Sequence, residues 1–146
     1  MRADVDGLCR VSAGLAGKRI LVVEDEALVS MMVEDELRDA GAEILGPAPS
    51  IANALRLIEA AVSDGGINAA VLDINLGGQH VGPLADRLTA LGVPFLFATG
   101  YNADCDTGGY ERAPLLEKPF EMGRLVAILA AITSVGAEAV APLPGV

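Results

Sequence analysis

Short apolar runs alternate along this chain with segments of helical periodicity, and this alternation limits the possible folds more than any other feature. The apolar runs are typical of buried strands and occupy residues 19–23, 42–46, 67–73, 93–99 and 115–117. Apolar residues at helical spacing predict helices over residues 26–40, 51–62, 81–91 and 120–135. Strands that alternate with helices form a parallel sheet covered on both faces, with right-handed crossovers. We therefore predict an α/β fold.

The segment between the last two strands and the two ends of the chain depart from this pattern. Residues 100–113 are rich in Gly, Asp and Asn and lack an apolar stripe, so a fourth helix there is expected to be short or disordered. Three glycines interrupt residues 1–17. We predict a flexible lead-in over residues 1–17, one folded domain over residues 18–135 and a flexible tail over residues 136–146.

Composition excludes several classes of function. Twenty Asp and Glu face ten Lys and Arg, a net charge of -10, which disfavours binding to nucleic acid or to anionic lipid. No apolar run approaches the roughly 20 residues that span a membrane, and the first residues do not resemble a signal peptide. Cys9 and Cys105 form no CxxC pair. We expect a cytoplasmic protein with neither nucleic acid nor membrane as a partner.

Polar side chains follow four of the five predicted strands at the point where each strand ends. They are Glu24, Asp25 and Glu26 after the first strand, Asp73 at the end of the third, Thr99 at the end of the fourth and Lys118 after the fifth. The carboxyl ends of parallel strands meet at one edge of the sheet, where ligands bind in such folds. The sequence thus predicts carboxylates, a hydroxyl and an ammonium group at one site.

These residue types share a specific chemistry. Paired carboxylates without His or Cys favour hard cations such as Mg²⁺, with Mn²⁺ as an alternative. A carboxylate can also accept a phosphoryl group as an aspartyl-phosphate. Glu24 and Asp25 suit a metal site, Asp73 suits the nucleophile, and Thr99 and Lys118 suit contacts to the phosphoryl oxygens.

Four motifs give these residues a family resemblance. VVEDE, VLDINL, FATGY and LLEKPF contain Asp25, Asp73, Thr99 and Lys118 at spacings of 48, 26 and 19 residues. The chain resembles the receiver domain of two-component response regulators over about residues 18–135. It further resembles the alphaproteobacterial single-domain receivers that carry a Phe-Ala-Thr-Gly signature. The resemblance implies a flavodoxin-like, doubly wound five-stranded sheet with strand order 2-1-3-4-5.

The resemblance also implies roles for individual residues. Asp25 would bind Mg²⁺ directly and Glu24 mainly through water, while Asp73 and the backbone carbonyl of Asn75 would complete the protein ligands. Asp73 would be the phosphoacceptor. The Lys118-Pro119 peptide bond would be cis, a form that proline makes accessible.

One departure from the family concerns how the signal leaves the domain. Receivers usually carry Tyr or Phe three residues before the lysine, and here that residue is Leu115. We expect the segment 100–113 and the last helix to transmit the signal instead. That helix is apolar nearly all round, so it could bind a partner or form a homodimer, or it could simply present an alanine-rich outer face.

In the first helix, Met31 and Met32 are expected to pack in the core.

The resulting prediction is a stand-alone response regulator rather than an enzyme. It would accept a phosphoryl group from a sensor histidine kinase and act on an unidentified downstream protein as an adaptor, or serve as a phosphate sink. Only 28 residues follow Lys118, too few for an output domain. The alternative is an aspartate-nucleophile phosphohydrolase of the haloacid-dehalogenase kind, whose signature requires an Asp where this chain has Asn75. An interaction module with an inactive site is a third reading.

Overall fold

The computed structural model describes residues 14–74, 76, 79–99, 110, 113–118 and 123–139. The strands are β1 (Arg19–Val23), β2 (Glu43–Ala48), β3 (Ala69–Asp73), β4 (Phe95–Thr99) and β5 (Leu115–Glu117). The helices are α1 (Ala27–Asp39), α2 (Ile51–Val62), α3 (Gly82–Ala90) and α4 (Arg124–Ala139). The alternation of strands and helices expected from the sequence is confirmed.

The five strands form one parallel sheet in the order β2-β1-β3-β4-β5. This is the predicted flavodoxin-like order. Its register fixes where the strand ends lie, because Val23 pairs with Leu72, Asp73 with Ala98, and Thr99 with Glu117. Four of the strands therefore end at nearly the same level, which brings the residues after them to one edge.

Two apolar layers cover the sheet. The three central strands β1, β3 and β4 are buried almost throughout, and their successive side chains enter opposite layers. On one face, α2 and α3 contribute Ala54, Ile58, Leu84 and Leu88. On the other face, α1 and α4 contribute Val33, Leu37, Leu125 and Leu129. The helical stripes in the sequence thus correspond to the inner faces of the helices.

The second strand is longer than its sequence predicts. It continues through Pro47 to Ala48, with a cis Gly46–Pro47 bond and an irregularity in its pairing between Leu21 and Val23. Gly46 has a φ of 104°, and a Cβ there would lie 2.7 Å from the Val22 carbonyl oxygen, so only glycine fits. Proline is accepted because β2 is an edge strand. The added residues extend β2 to the level of Glu24, whose N–H donates to the Ala48 carbonyl at 2.9 Å.

The folded part reaches beyond both boundaries proposed for the domain. Residues 14–17 form a turn in which Leu15 is fully buried, and its N–H donates to the Ala40 carbonyl at 2.9 Å. At the other end, α4 begins after Gly123 and runs to Ala139. The description of residues 1–13 and 140–146 as flexible stays a prediction.

The expectation for Met31 and Met32 was wrong. Helix α1 packs through Val33 and Leu37, whereas both methionines are more than half exposed. Leu28 is 75% exposed on the same helix. The sheet covers only one stripe of this helix, so apolar residues beside that stripe stay in solvent.

Of the segment between β4 and β5, the structure describes Tyr110, Ala113 and Pro114, and none of these is helical. The Tyr110 ring packs edge-on against Phe95 with ring centroids 5.4 Å apart. The Tyr110 hydroxyl donates to Asp86 on α3 at 2.6 Å. The rest of the predicted weak helix lies outside the described residues. Every helix in the described part of the chain is too short or too polar to cross a membrane.

Candidate phosphoryl-transfer site

Backbone hydrogen bonds continue past the strand ends and fix the residues that follow them. The Ile74 N–H donates to the Ala98 carbonyl at 2.9 Å, and the Lys118 N–H donates to the Thr99 carbonyl at 2.7 Å. These bonds extend the sheet ladder by one residue on each side of β4. Asp73 ends β3 and Lys118 follows β5, the two strands that flank β4, so both residues are held beside the end of β4.

The Lys118 ammonium lies among three carboxylates. Its Nζ is 3.0 Å from Glu24 Oε1 and 3.2 Å from Glu24 Oε2. It is 3.4 Å from Asp73 Oδ1 and 3.3 Å from Glu26 Oε1. One ammonium group thus contacts residues that follow the first strand and end the third, as expected if these strand ends form one site.

Burial makes these contacts strong. The side chains of Glu24 and Asp73 are almost fully buried, and that of Lys118 is 13% exposed. Burial of the ammonium lowers the pKa of Lys118, but its hydrogen bond to Glu24 and the charges of Asp73 and Glu24 outweigh burial and raise this pKa above its ordinary value. Lys118 is therefore a fixed positive charge at neutral pH.

Glu24, Asp25 and Asp73 form an acidic cluster that could hold a metal ion. Each offers a carboxylate oxygen, and these oxygens lie within 4.8 Å of one another. Glu24 and Asp73 are buried, whereas Asp25 is exposed and open to solvent. Oxygen donors at this spacing, with no His or Cys among them, suit a hard divalent cation such as Mg²⁺. Asn75, the remaining predicted ligand, lies outside the described residues.

Thr99 ends β4 and is 5% exposed. It pairs with Glu117 in the sheet, and its carbonyl accepts the Lys118 N–H. The structure therefore brings Thr99 to the same edge as Asp73 and Lys118. Pro119 lies outside the described residues, so the cis form of the Lys118-Pro119 bond stays a prediction.

Glu26 is a site residue to which the sequence argument gave no role. It is the N-cap of α1, and its N–H donates to Glu24 Oε2 at 3.1 Å. Its side chain makes no capping hydrogen bond and instead contacts Lys118. The signal in the sequence was its place as the third acid in the run Glu24-Asp25-Glu26, but an acid there also suits a helix start.

Several proteins with solved structures are similar to this chain in fold and in sequence. SdrG from Sphingomonas melonis Fr1 is 43% identical; the match covers 79% of this chain and 95% of SdrG, with a TM-score of 0.67. SdrG from Pseudomonas melonis Fr1, solved in a BeF3-activated conformation, is 42% identical over 81% of this chain and 98% of that one, with a TM-score of 0.65. A response regulator receiver protein from Sinorhizobium medicae WSM419 is 25% identical over 82% and 96% of the two chains, with a TM-score of 0.67. The chain belongs to the response-regulator receiver family.

The receiver also matches part of a longer regulator. The phyllosphere-induced regulator PhyR of Methylorubrum extorquens is 30% identical over 128 residues, which is 86% of this chain. The receiver spans about half of PhyR, 47% of its length. No protein-family model matches the chain.

Helix α1 exposes three large apolar side chains beside the acidic cluster. Leu28, Met31 and Met32 are exposed on the first turns of α1, immediately after Asp25 and Glu26.

The last helix, α4, exposes no large apolar side chain among its described residues. Among its described side chains, Leu125 and Leu129 are buried, and the exposed positions are Arg124, Ala127 and Ala131. The described part of α4 thus has the alanine-rich outer face that was one of the two expectations.

Proposed function

We propose that this receiver accepts a phosphoryl group on Asp73 from the phosphohistidine of a sensor histidine kinase. The observation that carries the proposal is the position of Lys118, whose ammonium lies 3.4 Å from the buried Asp73 carboxylate. A buried carboxylate paired with a fixed cation is well placed to act as a nucleophile toward an electrophilic phosphorus.

The transfer uses groups of this chain and of the kinase. One Asp73 oxygen forms a bond to phosphorus while the bond between phosphorus and the imidazole nitrogen breaks, and the imidazole takes up a proton from water. Lys118 donates to a phosphoryl oxygen and stabilises the charge that develops there. Thr99 is buried at the end of the neighbouring strand, and its hydroxyl donates a hydrogen bond to a second phosphoryl oxygen.

We propose that the acidic cluster holds Mg²⁺ during this reaction. Asp25 would bind the ion directly, Glu24 mainly through water, and Asp73 and the Asn75 carbonyl would supply the other protein ligands. The carboxylates carry more negative charge than Lys118 alone balances, which supports a bound cation. When bound, the ion would neutralise the charge between the carboxylates and the phosphoryl oxygens.

The exposed apolar turns of α1 are the surface that we assign to the kinase. Leu28, Met31 and Met32 are exposed large apolar residues beside the acidic cluster. A partner that delivers a phosphoryl group to Asp73 has to cover this neighbourhood, and exposed apolar side chains gain free energy when a partner buries them. The kinase surface is therefore expected to be apolar where it meets α1.

We propose that the receiver acts in the cytoplasm as a stand-alone regulator, through protein contacts and without enzymatic turnover of other substrates. The match to 95% of SdrG supports a regulator of this size. As an adaptor it would have a protein as its downstream partner, whereas a phosphate sink would need only the kinase. A homodimer through the last helix stays a weaker proposal, because the large apolar side chains described on that helix are buried or half-buried.

The test is labelling of the purified protein with a small phosphodonor, acetyl phosphate, in the presence of Mg²⁺. Wild type should gain one phosphoryl group per chain, while Asp73→Asn and a Mg²⁺-free sample should gain none. Asn keeps the shape of Asp73 but lacks the nucleophilic charge. Equal labelling of Asp73→Asn would contradict the proposal. Steady release of phosphate over many turnovers from a generic phosphate ester would favour the phosphohydrolase instead.

A further inference from the structure

The side chain of Glu26 does not make the hydrogen bond that its position at the start of the helix suggests. An oxygen-bearing side chain at an N-cap commonly accepts a hydrogen bond from the first turn of its own helix. The Glu26 carboxylate makes no such bond in the described residues. It reaches Lys118, 92 residues later in the chain, with its Oε1 3.3 Å from the ammonium.

The three carboxylates around Lys118 differ in how easily they can release it. An ammonium group has three N–H donors. Glu24 and Asp73 are buried, so losing the ammonium would leave each of them a buried charge without its cation, which is costly. The Glu26 side chain is 64% exposed, so water can replace Lys118 at its carboxylate at small cost.

An incoming phosphoryl group needs one N–H of Lys118. The contact to Glu26 costs least to break, because water can replace Lys118 at this exposed carboxylate. Until it yields, the Glu26 carboxylate competes with the phosphoryl oxygens for the same ammonium. Its negative charge lies 3.3 Å from the cation that has to attract the donor, so it also repels an anionic phosphodonor.

We propose that Glu26 is a positioning residue that acts through Lys118 and slows phosphorylation of Asp73. The inference rests on the proposed function of the receiver. It makes Glu26 the residue that sets how fast this receiver is phosphorylated without taking part in the bonds that form and break. A neutral residue at this position would give a receiver that is phosphorylated faster.

The experiment compares Glu26→Gln with wild type in initial rates of labelling by acetyl phosphate, at several salt concentrations with Mg²⁺. Glu26→Gln should be labelled about two- to fivefold faster, the size of effect that an exposed ion pair carries. Its rate should also depend less on salt. Glu117→Gln is the matched control, because Glu117 is exposed, directly precedes Lys118 and makes no ion pair with the described residues. This control should behave as wild type.

A second measurement observes the lysine itself. The amine resonances of Lys118, followed by nitrogen NMR, should shift in Glu26→Gln and stay unchanged in Glu117→Gln, and both variants should unfold at the urea concentration of wild type. Equal rates for wild type and Glu26→Gln, or equal acceleration by Glu117→Gln, would overturn the role of Glu26 while Asp73-dependent labelling of wild type still supported the proposed function. Wild type that is labelled no more than Asp73→Asn would overturn both.

Discussion

Lys118 and Glu24 form an ion pair of 3.0 Å that joins the ends of strands β5 and β1 across the carboxyl edge of the sheet. The two strands are not neighbours in the sheet, since β3 and β4 lie between them. The pair therefore spans the strand end that carries Asp73, which also contacts Lys118. It also balances a carboxylate that would otherwise be buried without a cation.

Lys118→Met tests the structural part of this pair. Methionine keeps the apolar length of the lysine but removes the charge, so Glu24 and Asp73 lose their shared cation. We expect the free energy of unfolding to fall by about 2 kcal/mol, less than for a fully buried pair because Lys118 keeps some contact with water. Urea unfolding at neutral pH without divalent cations measures this. A variant as stable as wild type would show that the pair contributes nothing to folding.

Magnesium should stabilise the receiver through the acidic cluster. An ion that binds only the folded state, at a free concentration of ten times its Kd, adds about 1.4 kcal/mol to the free energy of unfolding. We expect Mg²⁺ to raise the melting temperature of wild type. Asp25→Asn should lose this increase, because Asp25 is the solvent-exposed acid through which an ion would enter.

Asp39→Asn is the control for the magnesium experiment, since Asp39 is an exposed acid at the far end of α1. It should respond to Mg²⁺ as wild type does. The same increase in melting temperature for Asp25→Asn and wild type would place the magnesium effect elsewhere on the protein.

Kinase docking can be separated from chemistry with Leu28→Glu. Leu28 is 75% exposed, so the change should not disturb the core. We expect phosphotransfer from the most active histidine kinase of the source organism to fall about tenfold or more, the effect of losing one central interface residue. Labelling by acetyl phosphate should stay unchanged.

The control for docking is Val62→Glu at the end of α2. Val62 is also an exposed apolar residue, but it lies at the opposite end of the sheet from Asp73. Loss of kinase transfer in both variants, or in neither, would argue against the assigned surface on α1.

The hydrogen bond from Tyr110 to Asp86 predicts a pH-dependent contribution to stability. Accepting this bond, Asp86 raises the pKa of Tyr110 above its ordinary value. A group whose pKa is raised by folding stabilises the protein below its unfolded pKa, and that stability is lost as pH rises through the folded value. Tyr110→Phe should therefore be less stable than wild type by about 0.5 kcal/mol at pH 7.5.

Above about pH 10 the difference between wild type and Tyr110→Phe should shrink, because tyrosine ionises in wild type. Urea unfolding of both proteins at several pH values measures it. A difference of the same size at neutral and at high pH would show that the packing of the ring, and not the hydroxyl, distinguishes the two proteins.

The fold was predictable because its signals are local. Each strand of the sheet is a short apolar run, and each described helix has one apolar stripe, so alternation alone indicates a parallel sheet. The nearness of Asp73 and Lys118 was predictable for the same reason. Asp73 and Lys118 end or follow strands, and parallel strands bring such residues to one edge.

The features that could not be predicted from the sequence depend on contacts between distant residues. The contact of Glu26 with Lys118 joins positions 92 residues apart and exists only once β1 and β5 lie in one sheet. The exposure of Met32 depends on how α1 is turned on the sheet, which its apolar stripe alone does not fix. The continuation of β2 to Ala48 depends on its pairing with Val23.

The most direct test of the central claim is to locate the phosphoryl group on the chain. Wild type is labelled with acetyl phosphate and Mg²⁺, and the acyl phosphate is then reduced with borohydride, which converts a phosphorylated aspartate to homoserine. The labelled protein is digested and its peptides are sequenced by mass spectrometry. We predict homoserine at position 73 and unmodified Asp25. Homoserine at another acid, or none in a sample that carries phosphate, would contradict the assignment of Asp73 as the phosphoacceptor.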